Sequence, residues 1–227
     1  QSIRMGIPLQ LPEPRPYRDY IVWLKKRDLS RAEAYWRNKL TGFTTPTPLP
    51  ISRIEYGLQT APPEFAGLEV LLPVILSDAL QSLARRQSLT LNTVLQAAWG
   101  ILLSRYSGET DVVYGTTISG RPPDLPGAET MLGLFINTLP VRMKVDDDCS
   151  ILEWLRAIQA DQAEMRQFEY TPLLQIQNWS ETPRGLALFE SLFVFENLPT
   201  GGLGGQGGAG FSIEASPSES YTNFPLT

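Results

Sequence analysis

The sequence predicts an α/β (α+β) fold, in which a mixed sheet is covered by helices and preceded by a two-helix connecting segment. Three observations carry this. Val112 to Ile118 is a run of β-branched and apolar residues, the composition of a buried strand. Beyond a proline-bound loop, Val141, Met143 and Val145 alternate with Arg142 and Lys144, which is the period-2 pattern of a half-buried strand. Between Thr90 and Gly108 apolar residues recur at helical spacing, bounded by a hydroxyl cap and a glycine stop. Strands alternating with helices argue for packed α/β layers rather than a helical bundle, with the sheet covered mainly on one face.

Each element follows from local chemistry. Pro8, Pro12, Pro14 and Pro16 keep the start of the chain extended, as though it begins within a connection. Pro16 then suits the first turn of a helix over 17–26, with Tyr20, Trp23 and Leu24 on one face. Ser30 and Glu33 have the spacing of a capping box, opening a second helix that runs to Leu40 before Gly42. The proline-rich run 44–50 marks a boundary between a connector, 1–50, and a lobe, 51–227. Phe65 to Leu72 is expected as a strand paired near Arg53 to Gln59, with Pro73 ending it and Ser77 capping the next helix. The helix after Thr90 is expected to bury Leu91, Val94, Leu95, Ala98, Leu102 and Tyr106. Ser150 follows an aspartate-rich turn and starts a helix with Leu152, Leu155, Ile158 and Met165 inward. Pro172 opens a short helix ending near Trp179. Leu192 to Phe195 and Phe211 to Ala215 are short strands flanking the glycine-rich run 201–210, and the end at Thr227 reads as a cut inside an element.

Composition excludes several functions. With 19 basic and 24 acidic residues the net charge is -5, without the positive field that nucleic acid requires. No apolar run approaches the roughly 20 residues of a bilayer span, and no signal-peptide core follows Gln1, so a cytoplasmic protein without a membrane partner is expected. A single cysteine, Cys149, permits no internal disulfide. The chain contains no histidine, which removes every Ser-His-Asp or Cys-His arrangement and every histidine base or metal ligand.

The strand-loop-strand stretch carries a resemblance. Gly133-Leu-Phe-Ile-Asn-Thr-Leu-Pro-Val-Arg142, preceded by Ser119-Gly-Arg-Pro122, resembles the fifth core motif of the condensation domains of non-ribosomal peptide synthetases. Tyr17-Arg-Asp-Tyr-Ile-Val-Trp23 resembles the fourth. Glu169-Tyr-Thr-Pro-Leu173 resembles the sixth, with Phe168 where the family often has His or Asn, and Thr222-Asn-Phe-Pro-Leu226 is similar to the seventh. The family's histidine motif lies upstream of the fourth motif, so the resemblance implies the C-terminal half of such a domain, with no catalytic residue of its own and inactive as a fragment. It implies a chloramphenicol acetyltransferase-like lobe. It implies a tunnel into which peptidyl carrier proteins deliver phosphopantetheine-tethered substrates, with no cofactor bound by this chain itself. Further implied partners are the N-terminal half and neighbouring synthetase domains. By the same resemblance the loop from Ile118 to Met131 is a tunnel floor, including Ser119, Gly120, Arg121 and Pro122, with Asn137 beside it. Asn197 to Gly210 lies near a latch, and Tyr17, Asp19 and Trp23 lie at the lobe junction.

Simpler roles compete with these. Stiffened by Pro122, Pro123 and Pro126, the loop is expected to cross between lobes without support from a local core. Arg121 suits a loop anchor paired to a carboxylate better than a substrate contact. Asn137, if buried, is expected to find a backbone partner. Trp23 reads as packing, and Cys149 as structural because no base accompanies it. Asp146, Asp147 and Asp148 lack the spacing of a calcium loop, and the glycine run lacks the frame of a phosphate loop, so no metal is assigned. An epimerisation-type domain, or a lobe that only binds carrier proteins, are the alternative functions.

Overall fold

A computed structural model describes residues 13–49, 66–145, 148–196 and 222–227. The expected strand near Arg53 to Gln59, Asp146, Asp147, the run 201–210 and the strand Phe211 to Ala215 lie outside the described residues. The elements in order are α1 (Arg18–Lys25), α2 (Leu29–Leu40), α3 (Val74–Arg86), α4 (Leu91–Ser107), β1 (Asp111–Ile118), β2 (Asn137–Lys144), α5 (Ile151–Met165), α6 (Leu173–Trp179) and β3 (Leu192–Phe193).

The three strands form one sheet in the order β2-β1-β3. β1 and β2 are antiparallel over their full length, from Asp111 opposite Lys144 to Ile118 opposite Asn137, and β1 pairs parallel with β3. Where β3 stops, Thr47 Oγ1 accepts from Val113 N at 2.7 Å and continues the ladder with a side chain. Val145 N donates to Thr110 O, so by antiparallel alternation Thr138, Pro140, Arg142 and Lys144 direct their backbone groups to the outer edge. There Pro140 has no N–H, Thr138 N is bound by Asn137 Oδ1 at 2.9 Å, and Lys144 O accepts from Trp154 Nε1 at 2.7 Å.

Val112, Val113 and Tyr114 are all fully buried, so the sheet is covered on both faces rather than mainly one. α4 covers the face of Tyr114 and Met143. Its buried residues are Thr93, Gln96, Ala97, Gly100, Leu103 and Ser104, not the larger apolar stripe expected from the sequence. Small residues allow close approach: a Cβ on Gly100 would lie 2.2 Å from Met143 Sδ. Polar ones are paired, with Tyr114 Oη to Gln96 Oε1 at 3.0 Å and Thr93 Oγ1 to Gln162 Oε1 at 2.9 Å. The expected stripe instead leaves Leu102 and Tyr106 exposed, with Leu95, Ala98 and Leu102 lining an apolar groove against Phe193, Val194 and Phe195.

On the opposite face, Arg142 binds Asp111 and donates to Lys39 O (3.2 Å) and Thr41 O (2.7 Å). It thereby fastens the end of α2 to the sheet. Trp36 and Leu40 of α2 belong to the same core as Leu139, Leu155 and Ile176.

Four helix starts illustrate local competition. Asp28, not Ser30, caps α2: its carboxylate accepts from Ser30 N at 2.9 Å and Ser30 Oγ at 2.6 Å, while Glu33 pairs with Arg37. α3 begins at Val74 with Pro73 as its cap residue, so Ser77 lies within the first turns, its N–H bonded to Pro73 O. At α4 and α5 the expected hydroxyl caps are present, Thr90 to Thr93 N and Ser150 to Glu153 N. The expected strand before Pro73 is not formed over Ala66 to Leu72. This run has no regular secondary structure and no ladder partner among the described residues, with Leu68 and Leu71 exposed.

Candidate functional site

The loop between β1 and β2 does not cross open space. It closes on itself and on α1, forming a second core apart from the main one: Tyr20, Leu125, Ala128, Met131 and Phe135, flanked by Tyr17, Trp23 and Leu24. The expectation of a loop without local support is therefore corrected. Prolines restrict the chain, but aromatic packing places it.

Arg121 is the anchor within the loop, although its partners are carbonyls rather than a carboxylate. Its guanidinium donates to Ala128 O and to Met131 O (3.1 Å) and lies 4.2 Å from the Phe135 ring centroid. The loop doubles back under it, so main-chain acceptors are nearest. Gly120 adopts a left-handed φ of +61°, and a Cβ there would fall 1.9 Å from Phe135 O. Ser119 is exposed and Pro122 buried. At the loop's end Asn137 donates through Nδ2 to Glu169 O (2.9 Å) and Thr171 O (2.8 Å), so its amide is spent on backbone.

α1 supplies the other half of this unit. Tyr17 Oη donates to Leu134 O, and its ring meets Phe135 edge-on at 5.3 Å. Gly133 lies against that ring without room for a Cβ. Tyr20 packs 4.6 Å from Phe135, and Trp23 stacks on Tyr20 at 5.9 Å. Asp19 is half-buried in the first turn. Of the residues singled out from sequence, Tyr17, and Trp23 through Tyr20, thus pack with the Phe135 that Arg121 faces, while Asn137 begins β2 and is tied to Glu169 and Thr171 instead. Outward from this core, Leu132, Leu134 and Ile136 are exposed, alternating with buried Met131 and Phe135.

Sequence reasoning gave no site role to three participants, two of them within the quoted motif Glu169-Tyr-Thr-Pro-Leu173. Arg27 ion-pairs with Asp124 and stands 3.7 Å from the Trp23 ring, and Tyr170 faces both. The i, i+4 spacing of Trp23 and Arg27 was the available signal. Glu169 is the third: burial raises its carboxyl above the ordinary range, opposed by Arg166. Burial foremost, then Tyr17 and Glu169, raises the Tyr20 hydroxyl as well.

A groove of about 710 Å³ lies elsewhere, between the outer edge of β2, α2 and α5. Tyr35 Oη and Gln162 Nε2 line it without hydrogen-bond partners. Among the described residues no acidic or thiol group is arranged to hold a metal, and no helix is long and apolar enough to cross a membrane.

Comparison with known proteins identifies this arrangement. A linear gramicidin synthase of Brevibacillus parabrevis is 52% identical over 227 residues, 100% of this chain and 4% of that protein. Chondramide synthase cmdD of Chondromyces crocatus is 43% identical over 215 residues, 94% of this chain and 5% of that protein. Among solved structures, the X-domain from teicoplanin biosynthesis superposes with a TM-score of 0.67 at 27% identity, covering 84% of this chain and 44% of that one. The first condensation domain of the CDA synthetase shares the fold, with a TM-score of 0.66 at 16% identity over 85% of this chain and 42% of that one. The chain thus spans a small fraction of its curated relatives and less than half of these solved chains. The small mixed sheet between helices is the chloramphenicol acetyltransferase-like fold of those structures. A family model described as Condensation domain matches residues 1–227, and the chain belongs to the condensation domains of non-ribosomal peptide synthetases.

Proposed function

We propose that this chain is the C-terminal half of a condensation domain that joins a donor and an acceptor, each tethered to a peptidyl carrier protein through phosphopantetheine. In that reaction the acceptor amine attacks the donor thioester carbonyl; the C–N bond forms, the C–S bond breaks, and the thiol leaves with a proton. The observation that carries this reading is a family match over all 227 residues in a chain that covers under half of solved relatives and contains no histidine. Proton handling by imidazole therefore falls to a partner half.

The task of this half is placement. The loop with Ser119, Gly120, Arg121 and Pro122 forms the tunnel floor, held rigid by Arg121 and by α1, with Asn137 fixing its end. Tyr17, Asp19 and Trp23 stand where the connector leaves the lobe core for the junction. Carrier proteins and the neighbouring synthetase domains are its partners, and by the family resemblance the run 197–210, outside the described residues, belongs near the latch. Mixing this chain with its N-terminal half and loaded carrier proteins should restore amide formation, read by mass spectrometry of the carrier-bound product. Absence of product from a stably associated pair would reject the reading. A second reading, a lobe that binds protein without catalysis, is favoured by likeness to the X-domain, which has been solved in complex with OxyB at a TM-score of 0.67 and 28% identity. It predicts tight binding of a protein partner by this chain alone, measured by calorimetry.

A further inference from the structure

The motif Glu169-Tyr-Thr-Pro-Leu173 has no task in the proposed chemistry, yet the ties between the two cores converge on it. Asn137, where the loop ends, holds Glu169 O and Thr171 O. Tyr170 Oη donates to Asp28 O at 3.2 Å, just beyond α1. The Arg27 guanidinium lies 3.7 Å from the Trp23 centroid and 5.6 Å from that of Tyr170, whose rings meet edge-on at 6.3 Å and 87°. The same guanidinium reaches Asp124 on the loop. Tyr170 in turn packs against the main core. Helix, loop and sheet-bearing core are thus all touched by one side chain and its cationic partner.

We propose that Tyr170 is a positioning residue: through Arg27 and Asp28 it holds the α1–loop unit at a fixed place against the sheet. The unit needs such a tie. Its own core buries five side chains, enough to keep α1 and the loop together but separate from the main core. An exposed ion pair alone would hold it weakly, and Asp124 is 56% exposed. With the Trp23 ring 3.7 Å and the Tyr170 ring 5.6 Å away, the planar guanidinium is restrained by two aromatic neighbours as well as by its carboxylate partner. The Tyr170 hydroxyl adds a directional bond to the backbone that leaves α1. The placement of the proposed tunnel floor is accordingly set outside the loop, by the turn that follows α5.

The functional arm of this inference rests on the proposed amide formation, so the test has two readouts. The first is hydrogen exchange on the 227-residue chain, comparing Tyr170→Ala, Tyr170→Phe and Arg27→Met with the parent. Amides of 119–136 and 18–27 should exchange about tenfold faster in Tyr170→Ala, with α4 and β1 unchanged, since local opening is separable from global stability. Tyr170→Phe keeps the ring and loses only the bond to Asp28 O, so its change should stay within about threefold by the same separation. Arg27→Met should fall between them and covers the case in which Tyr170→Ala does not fold.

The second readout is amide formation by the complete condensation domain carrying the same variants. The maximal rate should drop about tenfold in Tyr170→Ala with the carrier KM within about twofold, the signature of misplacement rather than weaker binding. Uniform exchange across the chain, or none altered in 119–136, overturns the inference. So does local opening with an unchanged rate. An unsubstituted domain that forms no amide rejects the proposed function instead, and the exchange readout alone then decides the role of Tyr170.

Discussion

Substituting Gly133→Ala tests whether α1 and the loop are one packed unit. The added Cβ would lie 2.2, 2.5 and 2.7 Å from Tyr17 Cδ2, Cε2 and Cγ. Ordinary contact begins more than an ångström further out, so the ring must move. It is held by Phe135 at 5.3 Å and Tyr20 at 5.4 Å, and by its own bond to Leu134 O. Overpacking of a fixed site costs about 1–3 kcal/mol. Loss of the Tyr17 hydrogen bond adds about 0.5–1.5 kcal/mol. The sum, about 1.5–4.5 kcal/mol, falls on the second core and raises the open population of the loop by roughly tenfold or more. Limited thermolysin digestion should therefore cut Gly133→Ala within 119–136 far faster than the parent. The urea midpoint followed on the main core should move much less. Tyr17→Ala combined with Gly133→Ala removes the clash and should be cut more slowly than its single-site sums require. Equal cleavage of Gly133→Ala and parent would refute the packed unit.

Three further outcomes are expected. Arg142→Met strands Asp111 and frees two carbonyls at the end of α2; with the Arg142 side chain 12% exposed and Asp111 33% exposed, the loss should be about 2–3 kcal/mol in urea unfolding, below a fully buried pair because water partly screens it. A loss under about 0.5 kcal/mol, the scale of ordinary surface changes, would contradict that role. Glu169 has a folded-state pKa raised by burial, so its contribution is full below the ordinary carboxylate range and is lost as pH rises through the folded value; Glu169→Gln should match the parent in acid and become the more stable of the two toward neutrality, as read from denaturant midpoints, and a constant difference across pH would rule this out. Exposed Leu68, Leu71, Ile75, Leu132, Leu134 and Ile136 predict that the chain self-associates without a partner half, so sedimentation showing a monodisperse monomer would count against it.

The strands β1 and β2 could be read directly, because alternation at Val141 and Met143 with Arg142 and Lys144 specifies which face of β2 is buried; their register could not. The caps at Thr90 and Ser150 were equally plain. What failed were inferences that equate size with burial. In α4 the sheet-facing stripe is small and polar, with Gly100 admitting Met143 and Gln96 meeting Tyr114, and hydrophobic periodicity has no term for complementarity of that kind. Asp28 outcompeted Ser30 as a cap because its carboxylate reaches both the Ser30 N–H and hydroxyl. Within the candidate site, Asn137 has the backbone partners its type suggests, whereas Arg121 has carbonyl partners that depend on how the loop turns back. Arg27 and Tyr170 are separated by most of the chain, and a contact at that distance leaves no mark on local pattern.

The outer edge of β2 has a consequence for any domain of this family that folds within a very long synthetase. The linear gramicidin synthase and chondramide synthase cmdD are each many times longer than this chain, so a nascent synthetase brings much protein together before folding is complete, the setting in which exposed strand edges misassemble. With Pro140 lacking a donor, Asn137 occupying Thr138 N and Trp154 occupying Lys144 O, that edge offers a foreign strand little continuous ladder to join. Among the described residues, the chain's own side chains thus interrupt the outer edge of β2.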